Sequence, residues 1–336
     1  MKAKKVLILG SNEFFTLEKS YERAFKSLGL NVSLIHVYKI KKSNLEKFIW
    51  KFFKFILFYF FRKKIIKNLF KNKKKFDLII IFKGLYANET FVTELRNILP
   101  NSKIINIFTD NPFDTNYFKD ISNTSVLKSI SCYDNIFIYS KIILKQLQKR
   151  YPFRNFHYLP FGYDNITNKR TKIVMSKKFD LSFIGTADKH RFEYINYLKE
   201  FKILLAGEGW SEFELPKRVL YIGNVNFQKS LKVISDSLIS LNILRPQNDL
   251  SHNMKTFEIP SMGGLMLTKR NLDQNNFFPE NFACLMYKNK KELKLKIKKV
   301  IKNPHKFIKI KKNGYKLSRR HNYKQRAKYI LNKVFE

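Results

Sequence analysis

The fold is decided by one stretch in the second half of the chain, SHNMKTFEIPSMGGLMLT (residues 251–268). Its pattern predicts a short helix that begins near Asn253, a tight break at Gly263 and Gly264, and an apolar strand over 265–268. A helix followed at once by a buried strand is the repeating unit of a parallel α/β sheet. The stretch therefore predicts an α/β domain.

The start of this helix also offers a site for an anion. A helix N-terminus presents unpaired N–H groups and the positive end of the helix dipole. Asn253 and Lys255 lie near that start, and Glu258, one turn into the helix, can accept hydrogen bonds from ribose hydroxyls. A nucleotide-binding half-domain needs these two features. The alternative is a capped helix with a glycine C-cap, and the stretch alone does not decide between them.

The same alternation extends outward through the chain. In the first half we expect strands at 6–10, 32–37, 78–82, 104–108, 136–139 and 156–161, and helices at 17–28, 44–70 and 89–99. In the second half we expect strands at 179–185, 201–207, 219–223, 240–244 and 265–268, then a Lys-rich helical tail from 291, broken near 303–304 and 313–314. Strands alternating with helices predict parallel sheets covered on both faces. We predict an α/β fold of two Rossmann-like, doubly wound domains that face a cleft.

The length and a change of composition predict the domain boundaries. A chain of 336 residues can bury two ordinary cores. A polar, basic segment without periodicity, 165–178, is the expected linker between a first domain at 1–164 and a second at 179–320. A C-terminal helix is expected at 321–336, and the C-terminal helices are expected to pack back toward the first domain.

Composition limits the compartment and the partners. The two cysteines exclude a disulfide framework and fit a reducing, cytoplasmic compartment. The six histidines show no metal-ligand spacing and no Asp-x-Asp pair occurs, so no metal is expected. The formal net charge is +40. A general bias toward Lys explains much of it, yet a field of this sign attracts nucleotides, anionic lipid or nucleic acid.

One segment concentrates this charge among aromatic residues. Residues 44–70 read NLEKFIWKFFKFILFYFFRKKIIKNLF, and the apolar run at 55–61 is far shorter than the ~20 residues of a membrane span. On a helical projection a polar edge contains Lys47, Lys51 and Lys54, and an apolar face contains Trp50, Phe53, Ile56, Leu57, Phe60 and Phe61. Two interpretations are open: a helix lying on an anionic membrane surface, or a core helix with a solvated Lys face.

Ligands of doubly wound sheets bind at the carboxyl ends of the strands, so the residues just past each strand are site candidates. In the first half these are Gly10, Ser11, Asn12, Asp110 and Asn111. Gly10 admits a close backbone approach, and no Gly-x-Gly-x-x-Gly fingerprint is present. Asp110 is a candidate general base for an acceptor hydroxyl. Its other interpretation is a cap for the turn before Pro112.

The second half offers cations at the same positions. Gly185 and Thr186 open a turn into a helix that carries Arg191, which is either a diphosphate site or a solvated basic helix. Loops at Gly207 and Asn224 suit a planar base, and Arg245 suits a phosphate or a Glu partner. Without metal, a leaving diphosphate needs such Arg, Lys and helix-dipole charges.

Together these residues resemble the GT-B glycosyltransferases, in the group typified by the spore-maturation CgeB-like proteins. The resemblance is strongest from residue 179 on. Its motifs there are Phe-Ile-Gly-Thr at 183–186 with Arg191, Phe257-Glu258 leading to Gly263-Gly264, and His-Asn-Tyr-Lys-Gln-Arg at 321–326. In the first half, residues 76–81, 109–112 and 159–164 are similar to family segments. Lys255 departs from the pattern, in which an Arg is usual, and loses bidentate geometry.

The resemblance implies a nucleotide-sugar donor on the second domain and an acceptor on the first. It implies that Glu258 binds the ribose and that Arg191 binds the diphosphate. We expect a cofactor-free, metal-independent transfer to a glycan or lipid-linked acceptor, in cell-envelope or surface glycan assembly on the inner face of the membrane. The alternative is a catalytically inactive nucleotide-sugar or membrane-surface binding protein. A nucleic-acid partner is not expected, because no reading module is recognisable.

Overall fold

The computed structural model divides into two compact units. It describes residues 5–13, 16–37, 44–71, 75–113, 126–165, 175 and 178–336. Unit 1 comprises Met1–Pro160 with Tyr323–Glu336, and unit 2 comprises Phe161–Asn322. Most of the expected linker, 165–178, lies outside the described residues.

Unit 1 is built on a six-stranded parallel sheet in the order β2-β1-β3-β4-β5-β6. Its strands are β1 (Lys5–Gly10), β2 (Asn31–His36), β3 (Leu78–Phe82), β4 (Lys103–Phe108), β5 (Asn135–Ile138) and β6 (Phe156–Tyr158). All five residues of β3 are buried, as expected for a central strand covered on both faces.

The helices of unit 1 are α1 (Leu17–Lys26), α2 (Asn44–Lys71), α3 (Glu89–Ile98), α4 (Lys141–Arg150) and, from the end of the chain, α11 (Tyr323–Phe335). Helix α11 buries Tyr323, Ala327, Ile330 and Val334, which recur at helical spacing. The Tyr323 ring lies 5.1 Å from the Tyr21 ring of α1, measured between centroids. The last helix therefore completes the core of unit 1.

Unit 2 repeats the plan with the strand order β12-β11-β10-β7-β8-β9, again all parallel. Its strands are β7 (Phe179–Ile184), β8 (Ile203–Ala206), β9 (Val219–Tyr221), β10 (Ser237–Asn242), β11 (Met266–Lys269) and β12 (Leu285–Tyr287). Its helices are α5 (Lys189–Tyr197), α6 (Phe227–Ser235), α7 (Met254–Ser261), α8 (Leu272–Phe277), α9 (Lys290–Lys302) and α10 (Ile308–Ser318).

The predicted α/β class with two doubly wound parallel sheets is confirmed, while several element limits differ from the prediction. Strand β10 begins at Ser237, three residues before its predicted start, and β12 was not predicted. The predicted break at 313–314 falls inside α10, where Gly314 packs against the Ala283 carbonyl and does not end the helix. Among the described residues, no helix has the length and apolar character of a membrane span.

Candidate functional site

In unit 2 the order of the strands reverses beside β7. Strand β8 lies on one side of β7 and β10 on the other, so the helices that follow β7 and β10 leave the sheet on opposite faces. Such a switch point opens a crevice at the carboxyl ends of the strands, where open α/β sheets bind ligands. Most of the residues predicted for the donor lie in the segments that follow β7, β8 and β10.

The start of α7 is fixed to the end of β10. Asn253 caps α7: its Oδ1 accepts from the Thr256 N–H at 3.0 Å, and Thr256 Oγ1 accepts from the Asn253 N–H at 3.3 Å. The Asn253 amide also donates to Asn242 Oδ1 at 2.9 Å, and Asn242 donates to Thr256 Oγ1 at 3.2 Å. The predicted helix start at Asn253 is confirmed. Buried Asn242, which sequence reasoning missed, anchors this start to the sheet.

Helix α7 presents one carboxylate and one ammonium group together. Lys255 Nζ lies 2.5 Å from Glu258 Oε2, a pair separated by one helical turn. The Glu258 side chain is 18% exposed and the Lys255 side chain 29%. A partly exposed carboxylate can accept bonds from a diol while the ammonium beside it attracts phosphate.

A second cluster of charged residues, centred on Asp188, links the segments that follow β7 and β10. Asp188, the N-cap of α5, accepts from the Arg191 N–H at 2.9 Å, and its Oδ2 lies 3.3 Å from Arg245 Nε. Arg245 follows β10, and its side chain is 27% exposed. Sequence reasoning missed Asp188, although an Asp before the first helical residue is a helix-start signal. The expected partners of Arg245 were a phosphate or a Glu; in this structure its acidic partner is Asp188.

Arg191 is held more firmly than predicted. Its guanidinium donates to the Ile243 carbonyl at 3.3 Å and to the Thr186 carbonyl at 2.8 Å, and it lies 5.5 Å from the Phe183 ring centroid. Its side chain is only 10% exposed. These contacts make Arg191 a clamp between the segments after β7 and β10. A role toward diphosphate stays a prediction, and Arg245 and Lys255 are the more accessible cations.

The predicted glycines let loops approach one another closely. Gly207 has φ +129°, and a Cβ there would collide with the Gly185 carbonyl; its N–H donates to the Gly223 carbonyl at 2.9 Å. Asn224 donates to Glu208 Oε1 at 3.1 Å. Gly263 has φ +72° after α7. Gly264 has no room for a Cβ beside Ile234 and Ile259. The described contacts give these glycines a packing role in addition to any ligand approach.

Behind the start of α7 lies a buried histidine that the sequence did not single out. His252 Nε2 accepts from the Phe161 N–H at 3.1 Å, and His252 Nδ1 lies 2.6 Å from Asp273 Oδ2. Because Nε2 accepts, the ring proton belongs on Nδ1, where it donates to the carboxylate. The buried ring thus ties the segment just before Asn253 to Phe161 and Asp273.

A cavity of about 490 Å³ in unit 2 contains none of the predicted residues. It is lined by Phe192, Asn196, Lys199, Glu214, Leu215, Pro216, Lys217 and Arg218. These residues belong to α5 and to the segments after α5 and before β9, near the amino ends of the strands. Strand-end chemistry, not cavity size, therefore identifies the candidate site.

Three of the predicted acceptor residues of unit 1, Gly10, Ser11 and Asn12, lie at the end of β1. The Ser11 N–H donates to Glu18 Oε1 at 3.1 Å, and the Asn12 N–H donates to His36 Nδ1 at 2.9 Å. Gly10 has no room for a Cβ against the Glu18 side chain. Glu18, a buried carboxylate in the first turn of α1, was missed by the sequence analysis.

Asp110 is paired with a strained lysine. Its Oδ2 lies 3.4 Å from Lys83 Nζ, and both side chains are partly exposed. Lys83, directly after β3, has φ +58°, a conformation rare outside glycine and concentrated at functional sites. The turn before Phe113 is closed by Asn111, whose Oδ1 accepts from the Phe113 N–H at 3.0 Å. The side chain that caps this turn is therefore that of Asn111, whereas the sequence analysis considered Asp110 for this role.

The chain is similar to known proteins in part of its sequence and in its whole fold. Residues 189–332 match the family described as glycosyl transferase-like, and no curated protein matches the chain significantly. Sucrose-phosphate synthase from Thermosynechococcus elongatus is similar in structure, with a TM-score of 0.69 at 11% identity over 97% of each chain. The protein has the GT-B fold. The family match and the fold together confirm the predicted class, glycosyltransferase.

Two further GT-B structures contain UDP-glucose or the two parts of that molecule. Anabaena HepE, solved with UDP and glucose, has a TM-score of 0.65 at 10% identity over 98% of each chain. Phage T4 β-glucosyltransferase, solved with its UDP-glucose substrate, has a TM-score of 0.62 at 13% identity over 99% of this chain and 100% of its own. At these identities the likeness concerns the fold.

Proposed function

We propose that the protein transfers a sugar from a nucleotide-sugar donor to a hydroxyl acceptor. The observation that carries the proposal is the Lys255–Glu258 pair on α7, which follows the end of β10 at the switch point of the second sheet. GT-B neighbours solved with UDP-glucose and the family match over 189–332 support it. The narrower CgeB-like assignment rests on the sequence motifs and belongs to the proposal.

Each residue has a proposed role. Glu258 holds the ribose hydroxyls, while Lys255, Arg245 and the N-terminal end of α7 offset charge on the departing diphosphate. Asp110, in unit 1, takes the proton of the acceptor hydroxyl as it attacks the anomeric carbon. Lys83 Nζ lies 3.4 Å from the Oδ2 atom of this base. The bond from sugar to diphosphate breaks as the bond from acceptor oxygen to sugar forms.

The acceptor and the place of action are also proposals. We propose a glycan or lipid-linked acceptor in cell-envelope assembly, reached at the cytoplasmic side of a membrane. We further propose that the protein needs no metal, since cations already lie at the donor edge. Among the described residues no cluster of His, Cys, Asp and Glu could hold a metal ion. One solved structure of T4 β-glucosyltransferase contains UDP and Mn²⁺, so metal dependence needs a direct measurement.

A nucleotide-sugar panel tests the proposal in two steps. Thermal unfolding identifies the donor, because a ligand that binds only the native state raises the melting temperature. Release of the nucleotide is then followed with and without candidate acceptors. Donor binding accompanied by nucleotide release supports a transferase. Binding without release under every acceptor supports the inactive binding protein, and no stabilisation by any donor contradicts both.

A further inference from the structure

Helix α2 has an exposed apolar surface. Phe53, Ile56 and Phe60 are 49%, 54% and 62% exposed, and their spacing puts them on one face of the helix. The opposite face is buried, with Phe58, Ile65 and Leu69 at 3% exposure or less. The side chains of Lys47, Trp50, Lys51 and Lys54, which belong to the predicted faces, lie outside the described residues. The buried face fits the predicted core helix, and the exposed face leaves the membrane interpretation as a prediction.

The exposed face continues as a row of lysines. Lys63, Lys64 and Lys67 are exposed and project within about a quarter turn of Phe60, one to two turns further along. Lys63 Nζ lies 5.0 Å from the centroid of the Tyr59 ring, which is 46% exposed. Aromatic and cationic residues therefore follow each other along a single face. We define Phe53, Ile56, Tyr59, Phe60, Lys63, Lys64 and Lys67 as the α2 surface.

The α2 surface lies at the acceptor edge of unit 1. Arg62 donates to the Tyr86 carbonyl at 3.1 Å, and the Phe58 ring packs 6.3 Å from the Tyr86 ring. Tyr86 lies past the carboxyl end of β3, and its hydroxyl donates to the Leu9 carbonyl at 3.0 Å, near the end of β1. Helix α2 connects the parallel strands β2 and β3, and its part from Asn44 to Arg62, which contains Phe53, Ile56 and Phe60, is ~27 Å long at ~1.5 Å per residue. Residues proposed for the acceptor follow the same strand ends.

We propose that the α2 surface docks onto an anionic lipid bilayer. Exposed Phe and Ile side chains gain free energy where they reach acyl chains, and neighbouring lysines gain it from anionic headgroups. Duplex nucleic acid offers phosphates but no apolar phase for this face. The whole of α2 carries eight basic residues and one acidic residue, Glu46. Docking places the acceptor edge of unit 1 at the membrane, which makes a membrane-borne acceptor its consequence; that consequence rests on the proposed function, and docking itself does not.

Vesicle cosedimentation with the full chain tests the docking. Wild-type protein is spun with vesicles of phosphatidylcholine containing phosphatidylglycerol, and with pure phosphatidylcholine. We expect binding to the anionic vesicles that falls with added salt. The Lys63→Gln/Lys64→Gln/Lys67→Gln variant should lose about a hundredfold in affinity, from about a factor of five per lysine. The Phe53→Ser/Phe60→Ser variant should lose binding even at low salt.

Phe153→Ser is the matched control. Phe153 is 96% exposed in the same unit, but it lies between α4 and β6, at the opposite edge of the sheet. This variant should bind as wild type does, and circular dichroism checks that all variants fold. Equal vesicle binding by the aromatic variant and the wild type overturns the proposal. So does binding of duplex DNA without binding of vesicles.

Separate measurements distinguish the two proposals. Vesicle binding is measured without any sugar donor, and nucleotide release is measured with a soluble acceptor and no vesicles. Vesicle binding without turnover leaves the docking in place and contradicts the sugar transfer. Turnover without vesicle binding supports the sugar transfer and contradicts the docking.

Discussion

At the scale of single residues, the proposed donor site depends on Glu258. Its carboxylate is partly exposed and already has Lys255 at 2.5 Å, so it keeps lone pairs for a ligand. Arg191 and Asp188, two other charged residues of this edge, are engaged in hydrogen bonds within the chain. The proposed recognition of the ribose therefore depends on the Glu258 side chain.

We predict that Glu258→Ala weakens donor binding about 30-fold or more. Loss of a hydrogen bond to a charged acceptor costs about 2 kcal/mol. Calorimetric titration with the donor found by thermal unfolding measures the change. The control is Glu193→Ala, which removes a half-exposed carboxylate of unit 2 that lies 3.8 Å from Lys290. Unchanged affinity in Glu258→Ala would reject the ribose role.

A second prediction concerns Lys311 of α10. Burial lowers the pKa of Lys311 from 10.5 to about 8. Below about pH 8 the folded and unfolded chains both carry its proton, and the folded chain bears the cost of a buried charge. Between about pH 8 and 10.5 the unfolded chain binds more protons, so stability rises with pH.

Lys311→Met should therefore stabilise unit 2 at neutral pH, by about 3 kcal/mol at most. The gain should shrink between about pH 8 and 10.5, as the wild type loses the proton. Urea unfolding at several pH values measures the difference between variant and wild type. Lys309→Met, at an exposed position of the same helix, is the control. A difference that does not change with pH would contradict this account.

At the scale of elements, helix starts were more predictable than strand limits. Asn253 marks the start of α7 through its own side chain, a local signal. Strand β12 has only three residues, and its pairing with β11 is a contact between distant segments. The Lys255–Glu258 pair follows from helical spacing, whereas the bond from Arg191 to the Ile243 carbonyl spans 52 residues. Contacts between residues close in sequence could thus be predicted, and contacts between distant segments could not.

Gly314 of α10 gives an element-scale prediction. A Cβ there would lie 2.5 Å from the Ala283 carbonyl oxygen. Ala is the better helix former by about 1 kcal/mol, yet we expect Gly314→Ala to lower the stability by about 1–3 kcal/mol, because the clash moves backbone. Chemical denaturation measures the effect, with Lys309→Ala as the control. Stabilisation by Gly314→Ala would show that the helix can shift away from Ala283 without cost.

At the scale of the whole molecule, the charge of +40 decides which measurements are informative. Anions bind such a protein without specificity, and salt screens this attraction. Donor and lipid binding therefore need to be compared at physiological ionic strength. A site of matched cations and Glu258 should keep its donor preference there, while unspecific attraction falls.

Removal of metal tests the proposed independence. With EDTA present, we expect the rate of sugar transfer to stay within about twofold of its value without EDTA, because Arg245, Lys255 and the α7 start supply the positive charge. The measurement is nucleotide release after dialysis against chelator. A rate that collapses and returns with Mn²⁺ or Mg²⁺ would show that an ion shares this work.

The path of the chain has a consequence for synthesis on the ribosome. Unit 1 begins with the first strand, but its core includes Tyr323, Ala327 and Ile330 of α11. Those residues leave the exit tunnel after the whole of unit 2. Unit 1 is thus the first to emerge and the last to be completed. Until α11 is synthesised, the apolar residues of unit 1 that pack against α11, on the α1 side of the sheet, stay uncovered. A premature stop before α11 would damage the early unit and leave the late one intact.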